Sequence, residues 1–398
     1  MTDRPPHIVL DPRGLDTLTQ GGQFRYVLDL LRGLRDLGPA LRITVFGGRP
    51  APAPELAGLF TAGPDRWQYV YFPRLIGRGS MYREQAGLVA ALVRAGADLY
   101  HGLHTVLPVW SPCPVVTTLY DTMYELFPDY AEAVRSRPYR LYRWAVRTRA
   151  RRVICISRTT ASDVHRLWGV PESRIDVVHL GTTFSDSGAQ TSPVLEVPLA
   201  GPVIVSPYNL EPRKNLAVLV VAFSRLLPAV PAAKLVLYGR AAVTPEREAE
   251  FDRTVATAGV GPAIVRPGPL TDGQLGWLYR RATVFAFPSL YEGFGYPVLE
   301  GMAAGACVVA RGTSAMAEVM GEAGAAVETR SVDELTATIL GLLGDDDRRA
   351  ALGRSAGARA RGFTVQKMVE GTLRSYEQVL GRSIPAASSQ ARNQRLCD

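Results

Sequence analysis

The sequence predicts an α/β protein built from two doubly wound parallel-sheet domains joined by a short linker. Three observations lead there. The chain has 398 residues, about two average domains. Short apolar runs alternate with amphipathic helical patterns, which implies parallel strands joined by helical crossovers. The alternation then stops at a stretch of small and turn-forming residues and restarts behind it.

The first half opens with a strand, His7 to Leu10, a loop holding Gly21-Gly22, and a helix whose apolar stripe is Phe24, Val27, Leu28, Leu31 and Leu34. Ile43 to Phe46 and Val70 to Phe72 read as further strands, and Arg83 to Ala95 as a helix. Strands Asp98 to His101 and Val115 to Leu119 flank a loop punctuated by Pro108, Pro112 and Pro114. Val153 to Ile156 is the next strand, Thr159 to Trp168 a helix and Ile175 to Val178 a strand. These elements make a first domain over 1–184, and SDSGAQTSPVLEVPLAG over 185–201 reads as the linker.

The second domain, 202–364, begins with a strand, Val203 to Ser206, a loop through Pro212, and a helix for which Asn215 is the expected N-cap. Leu216, Leu219, Val220, Phe223 and Leu226 form its buried stripe, so the second half opens as the first does, as two nucleotide-binding-like units in tandem. A C-terminal helix over 365–381 precedes a polar tail, 382–398, expected to be flexible.

Apolar residues make up 47% of the chain, which excludes intrinsic disorder. No apolar run is long enough to span a bilayer, and Met1 to Pro6 lacks the apolar core of a secretory signal, so a cytoplasmic protein is expected. Cys113, Cys155, Cys307 and Cys397 lie far apart without ligand spacing, so neither a disulfide framework nor a metal site is expected. The net charge of +8 and pI near 9.4 point to an anionic partner: nucleic acid, a membrane surface or a phosphorylated small molecule.

Only Lys214, Lys234 and Lys367 are lysines among 45 basic residues. Eight arginines between 135 and 152 interleave with Tyr139, Leu141, Tyr142, Trp144 and Val146. They read as a solvated amphipathic helix covering the sheet, and a membrane or anionic-acceptor surface is the alternative.

Two segments carry chemistry. In FPSLYEGFGYPVLEGMAAG, Phe287 to Gly305, an apolar strand ends in a loop where Gly293-Phe294-Gly295 frees the backbone for close approach to a ligand. Pro297 then suits the start of a helix, whose N-terminal amides favour phosphate. Glu292 and Glu300 flank this turn. They would repel a phosphate directly and are better used accepting hydrogen bonds from sugar hydroxyls. The second segment, Glu211-Pro212-Arg213-Lys214-Asn215, follows the first strand of its domain, where ligands bind in doubly wound sheets. Arg213 and Lys214 would supply the cationic help a diphosphate leaving group needs. Asp345-Asp346-Asp347 reads as a solvated loop, so no metal is expected.

The E-x7-E spacing of Glu292 and Glu300 around Gly-Phe-Gly, the Pro-Arg-Lys-Asn element, the Gly21-Gly22 loop, Ser157 to Val164 and Glu318-Val319 together resemble retaining, nucleotide-sugar-dependent glycosyltransferases of the GT-B fold, group 1 or family 4. The likeness runs over nearly the whole chain. It implies two Rossmann-like domains facing a central cleft, the first for the acceptor and the second for the donor, with the C-terminal helix crossing back to the first. It further implies that Glu300 holds the ribose hydroxyls and Glu292 the donor sugar, and that the amides of Phe294 and Gly295 approach sugar or phosphate. Arg213 and Lys214 would neutralise the diphosphate, and Gly21 and Gly22 would let their loop close over it. Retention would follow front-face attack, the leaving phosphate helping to deprotonate the acceptor.

Where many relatives carry His-Asp, this chain has Tyr120-Asp121, and where many have an arginine before Arg-Lys it reads Tyr208-Asn209. Tyr120, Asp121 and His101 join Glu292 as catalytic candidates, and His104 is a lesser one. His7, His165 and His179 read as structural.

The wording of the motifs is most similar to mannosyltransferases of surface-polysaccharide assembly. The resemblance therefore implies transfer of a hexosyl group, GDP-mannose being the first donor, to a sugar or glycoconjugate acceptor without a cofactor or metal. Peripheral contact with the inner membrane face is part of that expectation. A sugar-nucleotide epimerase or phosphorylase on the same architecture is the alternative. A basic nucleic-acid-binding protein is the remote one, opposed by the carboxylate pair and by the lack of a recognised nucleic-acid module.

Overall fold

Strands that are apolar on both faces pair in parallel under helical crossovers, and the buried runs HIVLD, VVTTL, VIVSP and VFAF do so here. The computed structural model describes residues 4–13, 21–61, 66–73, 80–103, 107–184, 199–239 and 244–385. The chain divides into two units, Met1–Gly181 with Thr364–Asp398, and Thr182–Phe363. The divisions thus fall after Gly181 and after Phe363, beside expected domain ends at 184 and 364. Most of the expected linker, 185–198, and of the tail, 386–398, lies outside the described residues.

In the first unit the strands are β1 (His7–Asp11), β2 (Arg42–Gly47), β3 (Trp67–Tyr71), β4 (Leu99–Gly102), β5 (Val115–Leu119), β6 (Ala150–Cys155) and β7 (Ile175–Val177). They form a parallel sheet of order β3-β2-β1-β4-β5-β6-β7. The helices are α1 (Gly22–Leu37), α2 (Pro54–Thr61), α3 (Ser80–Ala95), α4 (Met123–Leu126), α5 (Ala131–Arg135), α6 (Arg137–Arg149) and α7 (Arg158–Trp168).

The second unit repeats the plan with β8 (Val203–Pro207), β9 (Lys234–Tyr238), β10 (Ile264–Gly268), β11 (Val284–Phe287), β12 (Val308–Arg311) and β13 (Ala325–Val327) in the order β10-β9-β8-β11-β12-β13. Its helices are α8 (Leu216–Leu226), α9 (Pro245–Ala258), α10 (Asp272–Arg281), α11 (Tyr296–Ala303), α12 (Ser314–Met320), α13 (Val332–Leu343) and α14 (Asp346–Ala360). In both sheets the strand order reverses direction beside the unit's first strand, and the crevice between the loops there is where doubly wound folds take ligands.

The last helix, α15 (Val365–Leu380), belongs to the first unit and lies against α1 at Gly33. A Cβ on Gly33 would stand 2.6 Å from Val365 Cγ1 and 2.7 Å from Val369 Cγ2, so this close helix contact requires glycine. Further along α15, Ser375 Oγ donates to Asp176 and Tyr376 reaches His101.

Three local expectations are corrected. The strand expected over Val70 to Phe72 runs Trp67–Tyr71, because as an edge strand its half-exposed WQYVY lacks a continuous apolar run. The arginine-rich run 135–152 is not one helix. Arg135 ends α5, Arg137–Arg149 is helical with Ser136 as its N-cap, and the chain turns extended at Ala150 into β6. Asp345-Asp346-Asp347 is a helix start: Asp345 Oδ1 accepts the Arg348 N–H, and the other two stand in the first turn of α14, where the dipole favours acids.

Candidate functional site

The site follows from the strand order. β8 and β11 are neighbours, Val284 opposite Ile204 and Phe285 opposite Val205, so the loops leaving their carboxyl ends meet although they lie far apart in sequence. After β8 the chain makes a single tight helical turn, Pro212–Lys214, and then enters the left-handed region at Asn215, φ 55°. Asparagine tolerates that conformation better than most residues. The Arg213 carbonyl accepts from Leu290 N (2.7 Å) and from Ser289 Oγ (3.1 Å), which clamps this turn to the loop after β11. Asn215 does not use its side chain to cap α8, as its position suggested. Its amide donates to the carbonyls of Thr329 (2.6 Å) and Pro288 (3.4 Å) and so ties together the loops after β8, β11 and β13.

Within this clamp the sequence-predicted Arg213, Lys214 and Glu292 converge. Lys214 Nζ donates to Glu292 Oε1 at 2.6 Å, and Arg213 Nη1 stands 3.1 Å from Oε2. The other arm of Arg213 meets Glu211 at 2.8 Å, and Lys214 lies 5.4 Å from the centre of the Phe287 ring. Ser289, fully buried, donates to Glu292 Oε1 at 2.7 Å. The side chains of Arg213, Lys214 and Glu292 are 13%, 15% and 12% exposed, so the charges are largely out of water. Burial alone pushes the Glu292 carboxyl up. The Lys214 and Arg213 cations, with the hydrogen bonds from Lys214 and Ser289, outweigh that and hold it below the ordinary carboxylate range. The result is a charge-balanced nest, two cations against Glu292 and Glu211, at the ligand-binding end of the sheet.

Gly293, Phe294 and Gly295 follow directly and are buried. Gly295 adopts φ 97°, and a Cβ there would also press on Met316 Cγ at 3.3 Å, so the turn into α11 is reserved for glycine. Phe294 packs edge-on against Phe363, ring centres 5.9 Å apart, which anchors the turn. Glu300 lies on the first turns of α11 and is 7% exposed.

The remaining candidates fall in the first unit. Gly21, φ 112°, is exposed and starts α1, with Gly22 the first helical residue; the preceding residues 14–20 lie outside the described ones. His101, expected to contact substrate, is corrected. It is fully buried, with Nδ1 2.6 Å from the Tyr376 hydroxyl and Nε2 2.9 Å from Thr118 Oγ1, and burial pushes its pKa down to about 3. Both ring nitrogens are occupied, so it is a structural hydrogen-bonder. The Tyr120 hydroxyl donates to the Leu103 carbonyl (2.9 Å), and burial raises its pKa well above the ordinary phenol value, so it is a neutral donor already committed to backbone. Asp121 Oδ1 accepts the Met123 N–H at 3.1 Å. Ser157 caps α7, and Thr160 beside it donates to the Tyr120 carbonyl at 3.3 Å, which fixes the end of β5. His104 lies outside the described residues. Among the described residues no group of three or more His, Cys, Asp or Glu is placed to hold a metal ion.

Sequence reasoning missed Ser289. Its signal was the S-x-x-E spacing to Glu292, which in a tight loop returns the hydroxyl to the carboxylate.

Comparison with known proteins agrees with this geometry. The family described as Glycosyl transferases group 1 matches residues 190–359, and Glycosyltransferase Family 4 matches 20–184. The O-antigen chain mannosyltransferase B of Escherichia coli is 30% identical over 288 residues, 70% of this chain and 74% of the relative. A phosphatidyl-myo-inositol mannosyltransferase of Mycolicibacterium smegmatis is 29% identical over 244 residues, 60% of this chain and 61% of that one. Among solved structures, sucrose-phosphate synthase from Thermosynechococcus elongatus superposes with a TM-score of 0.74 at 20% identity, covering 94% of this chain and 99% of the other. Anabaena HepE in complex with UDP and glucose gives 0.73 at 18% identity, covering 94% and 100%. The paired sheets and the motif order, together with these matches to both halves, make the chain a member of the group 1 glycosyltransferases, an enzyme built on the GT-B fold.

Proposed function

We propose that the enzyme moves a hexosyl group, with retention of anomeric configuration, from a nucleotide-diphosphate sugar to an acceptor hydroxyl in glycan, polysaccharide or glycoconjugate assembly in the cytoplasm. GDP-mannose is the first donor on this reading, a choice supported by the mannosyltransferases among the relatives. The observation that carries the proposal is the buried meeting of Lys214, Arg213 and Glu292 at the ends of β8 and β11.

A diphosphate entering that nest competes with two carboxylates for the two cations. As Lys214 and Arg213 turn their charge to the phosphates, the Glu292 oxygens become acceptors for donor sugar hydroxyls. Donor binding and sugar recognition are thereby coupled. The two cations neutralise the charge that grows on the leaving group, so this reading needs no metal. The acceptor oxygen forms a bond to the anomeric carbon on the face from which the diphosphate departs, and its proton passes to the departing phosphate. No side chain has to act as nucleophile. Glu300 holds the ribose, and the Gly293–Gly295 turn brings backbone amides to the sugar and phosphates.

The test is a thermal-shift panel with GDP, UDP, ADP, TDP and their sugar conjugates in EDTA, followed by NMR of the product from the donor that binds. A ligand at 100 times its Kd stabilises the fold by about 2.7 kcal/mol. Stabilisation by one nucleotide series in EDTA, and an α-linked product from an α-linked donor, are expected. An inverted product, a requirement for added metal, or product formed without an acceptor would overturn the reading.

A further inference from the structure

Arginine is seldom fully buried unless it is paired, and Arg13, just past the end of β1, is fully buried. Its Nε and Nη2 grip Asp11 Oδ1 and Oδ2 at 2.8 and 2.7 Å, and Nη1 reaches Glu84 Oε1 on α3 at 3.2 Å. The guanidinium lies 4.2 Å from the centre of the Phe72 ring. Tyr100, on β4, donates its hydroxyl to Asp11 Oδ2 at 2.7 Å. Asp11 and Tyr100 are fully buried and Glu84 nearly so. Burial alone would lower the Arg13 pKa; Asp11, Tyr100 and Glu84 more than reverse that, so the group stays charged. Such a cluster is a costly way to hold a core together, since well-packed apolar residues of like volume often hold it as well or better. What apolar residues lack is direction. A planar fork held along two edges and one face fixes β1 and α3, and β4 through Asp11, in one mutual arrangement.

That direction leads to the ligand crevice of the first unit. Its strand order reverses between β1 and β4, so the loops leaving these two strands border the crevice. The Asp11 carbonyl accepts the Leu103 N–H at 3.0 Å, and the Leu103 carbonyl accepts the Tyr120 hydroxyl at 2.9 Å. The Tyr120 ring also stands edge-on to Tyr26, ring centres 5.5 Å apart. A continuous line of hydrogen bonds thus runs from Arg13 through Asp11 and Leu103 to Tyr120, with Asp121 the next residue at the end of β5. We propose that Arg13 is a positioning residue for hexosyl transfer, which holds the loops after β1, β4 and β5 in the arrangement that presents Tyr120 and Asp121 to the acceptor. Being fully buried, it acts through these residues and not on the substrate. The kinetic consequence rests on the transfer reading above; the mechanical linkage does not.

The test compares the full chain with Arg13→Lys, which keeps the charge and loses the fork, and with Tyr120→Phe, which cuts only the last link. Amide hydrogen exchange read by mass spectrometry should quicken in Arg13→Lys over 99–103 and 118–123 and stay unchanged over 203–216 and 284–300. Transfer is measured from GDP-mannose to a panel of alkyl hexosides, on the one the parent uses best. In Arg13→Lys kcat should fall by about 100-fold, the effect of a misplacement of roughly 1 Å, while GDP affinity by calorimetry is unchanged. The double variant should be slower than Arg13→Lys alone by no more than about twofold, because both changes break one line. Should Arg13→Lys fail to fold, Glu84→Gln keeps an acceptor for Nη1 without its charge and should show the same pattern at about tenfold. Unchanged exchange over 118–123, losses in kcat that multiply in the double variant, or a GDP affinity that falls along with kcat would each overturn the proposal. A parent that binds no nucleotide would overturn the transfer reading instead, and the exchange measurement, which needs neither donor nor acceptor, would still decide the linkage.

Discussion

Lys214 and Glu292, 78 residues apart in sequence, bring Nζ and Oε1 to 2.6 Å at the carboxyl ends of two adjacent parallel strands. The contact is a consequence of topology, since the strand order makes β8 and β11 neighbours and each contributes the loop that follows it. It is also a local compromise. Charges this far out of water are costly unless paired, and removing one partner of such a pair is worse than never having had it. Arg213, Glu211 and Ser289 complete the balance around them.

The first prediction separates the two partners. Lys214→Ala should weaken nucleoside diphosphate binding by about 1.5–3 kcal/mol, the range of a charge-assisted hydrogen bond. Glu292→Ala should lower transfer by about 100-fold or more while nucleoside diphosphate affinity holds or rises, because a competitor for the cations is gone. Titration calorimetry and a transfer assay on both variants measure this. The reverse order of effects on nucleotide affinity would remove the assigned roles.

Asn215 tests the clamp. Asn215→Ala puts a residue with a β-carbon at φ 55° and forfeits the bonds to the Thr329 and Pro288 carbonyls, a loss of about 2–4 kcal/mol. Asn215→Gly relieves the backbone and loses only the bonds, so it should melt between the Ala variant and the parent. Both should weaken nucleotide binding, since Lys214 is the adjacent residue. Melting temperatures equal to the parent's would mean the three loops are held by something else.

These two cases show what could be read in advance. Arg213 and Lys214, and Glu292 with the glycine turn, announce themselves locally, because each group stands in a loop between a strand and a helix start that lie consecutively in the chain. The role of Asn215 did not follow from its neighbours. Its position before α8 suggested a cap, but the acceptors it serves lie 73 and 114 residues away. His101 carried the same ambiguity: a histidine at the end of a strand can face a ligand or the core, and Tyr376, 275 residues later, settles it. The boundary between α6 and β6 was hidden because arginine continues across it, while a change of backbone conformation at Ala150 decides it.

His101 yields a pH prediction. In the unfolded chain an imidazole titrates near 6.5, whereas burial lowers His101 to about 3 in the fold. Between those values the unfolded chain binds the extra proton, so the contribution of His101 to stability is complete above about pH 6.5 and is lost as pH falls toward 3. His7, also lowered chiefly by burial, acts in the same direction. Melting curves at pH 5, 6 and 7 should show stability falling with acid, less steeply in His101→Gln. The pH dependence of transfer near neutrality should be the same in both proteins. A limb of the rate profile that disappears with His101 would return it to the chemistry.

The contact of α1 with α15 is the last point to test, and it asks whether the C-terminal helix completes the first unit. Gly33→Ala would set a methyl 2.6 and 2.7 Å from two valine carbons on α15, and valine has no flexible end that can yield. The helices must separate, at a cost of about 1–3 kcal/mol. Because α15 also delivers Tyr376 to His101 and Ser375 to Asp176, the separation should weaken those buried bonds and broaden the loss beyond the site of substitution. Val369→Ala opens a compensating space, so the double variant Gly33→Ala with Val369→Ala should be more stable than the sum of the two single changes predicts. Strict additivity in chemical denaturation of the four proteins would show that α1 and α15 do not rely on this contact.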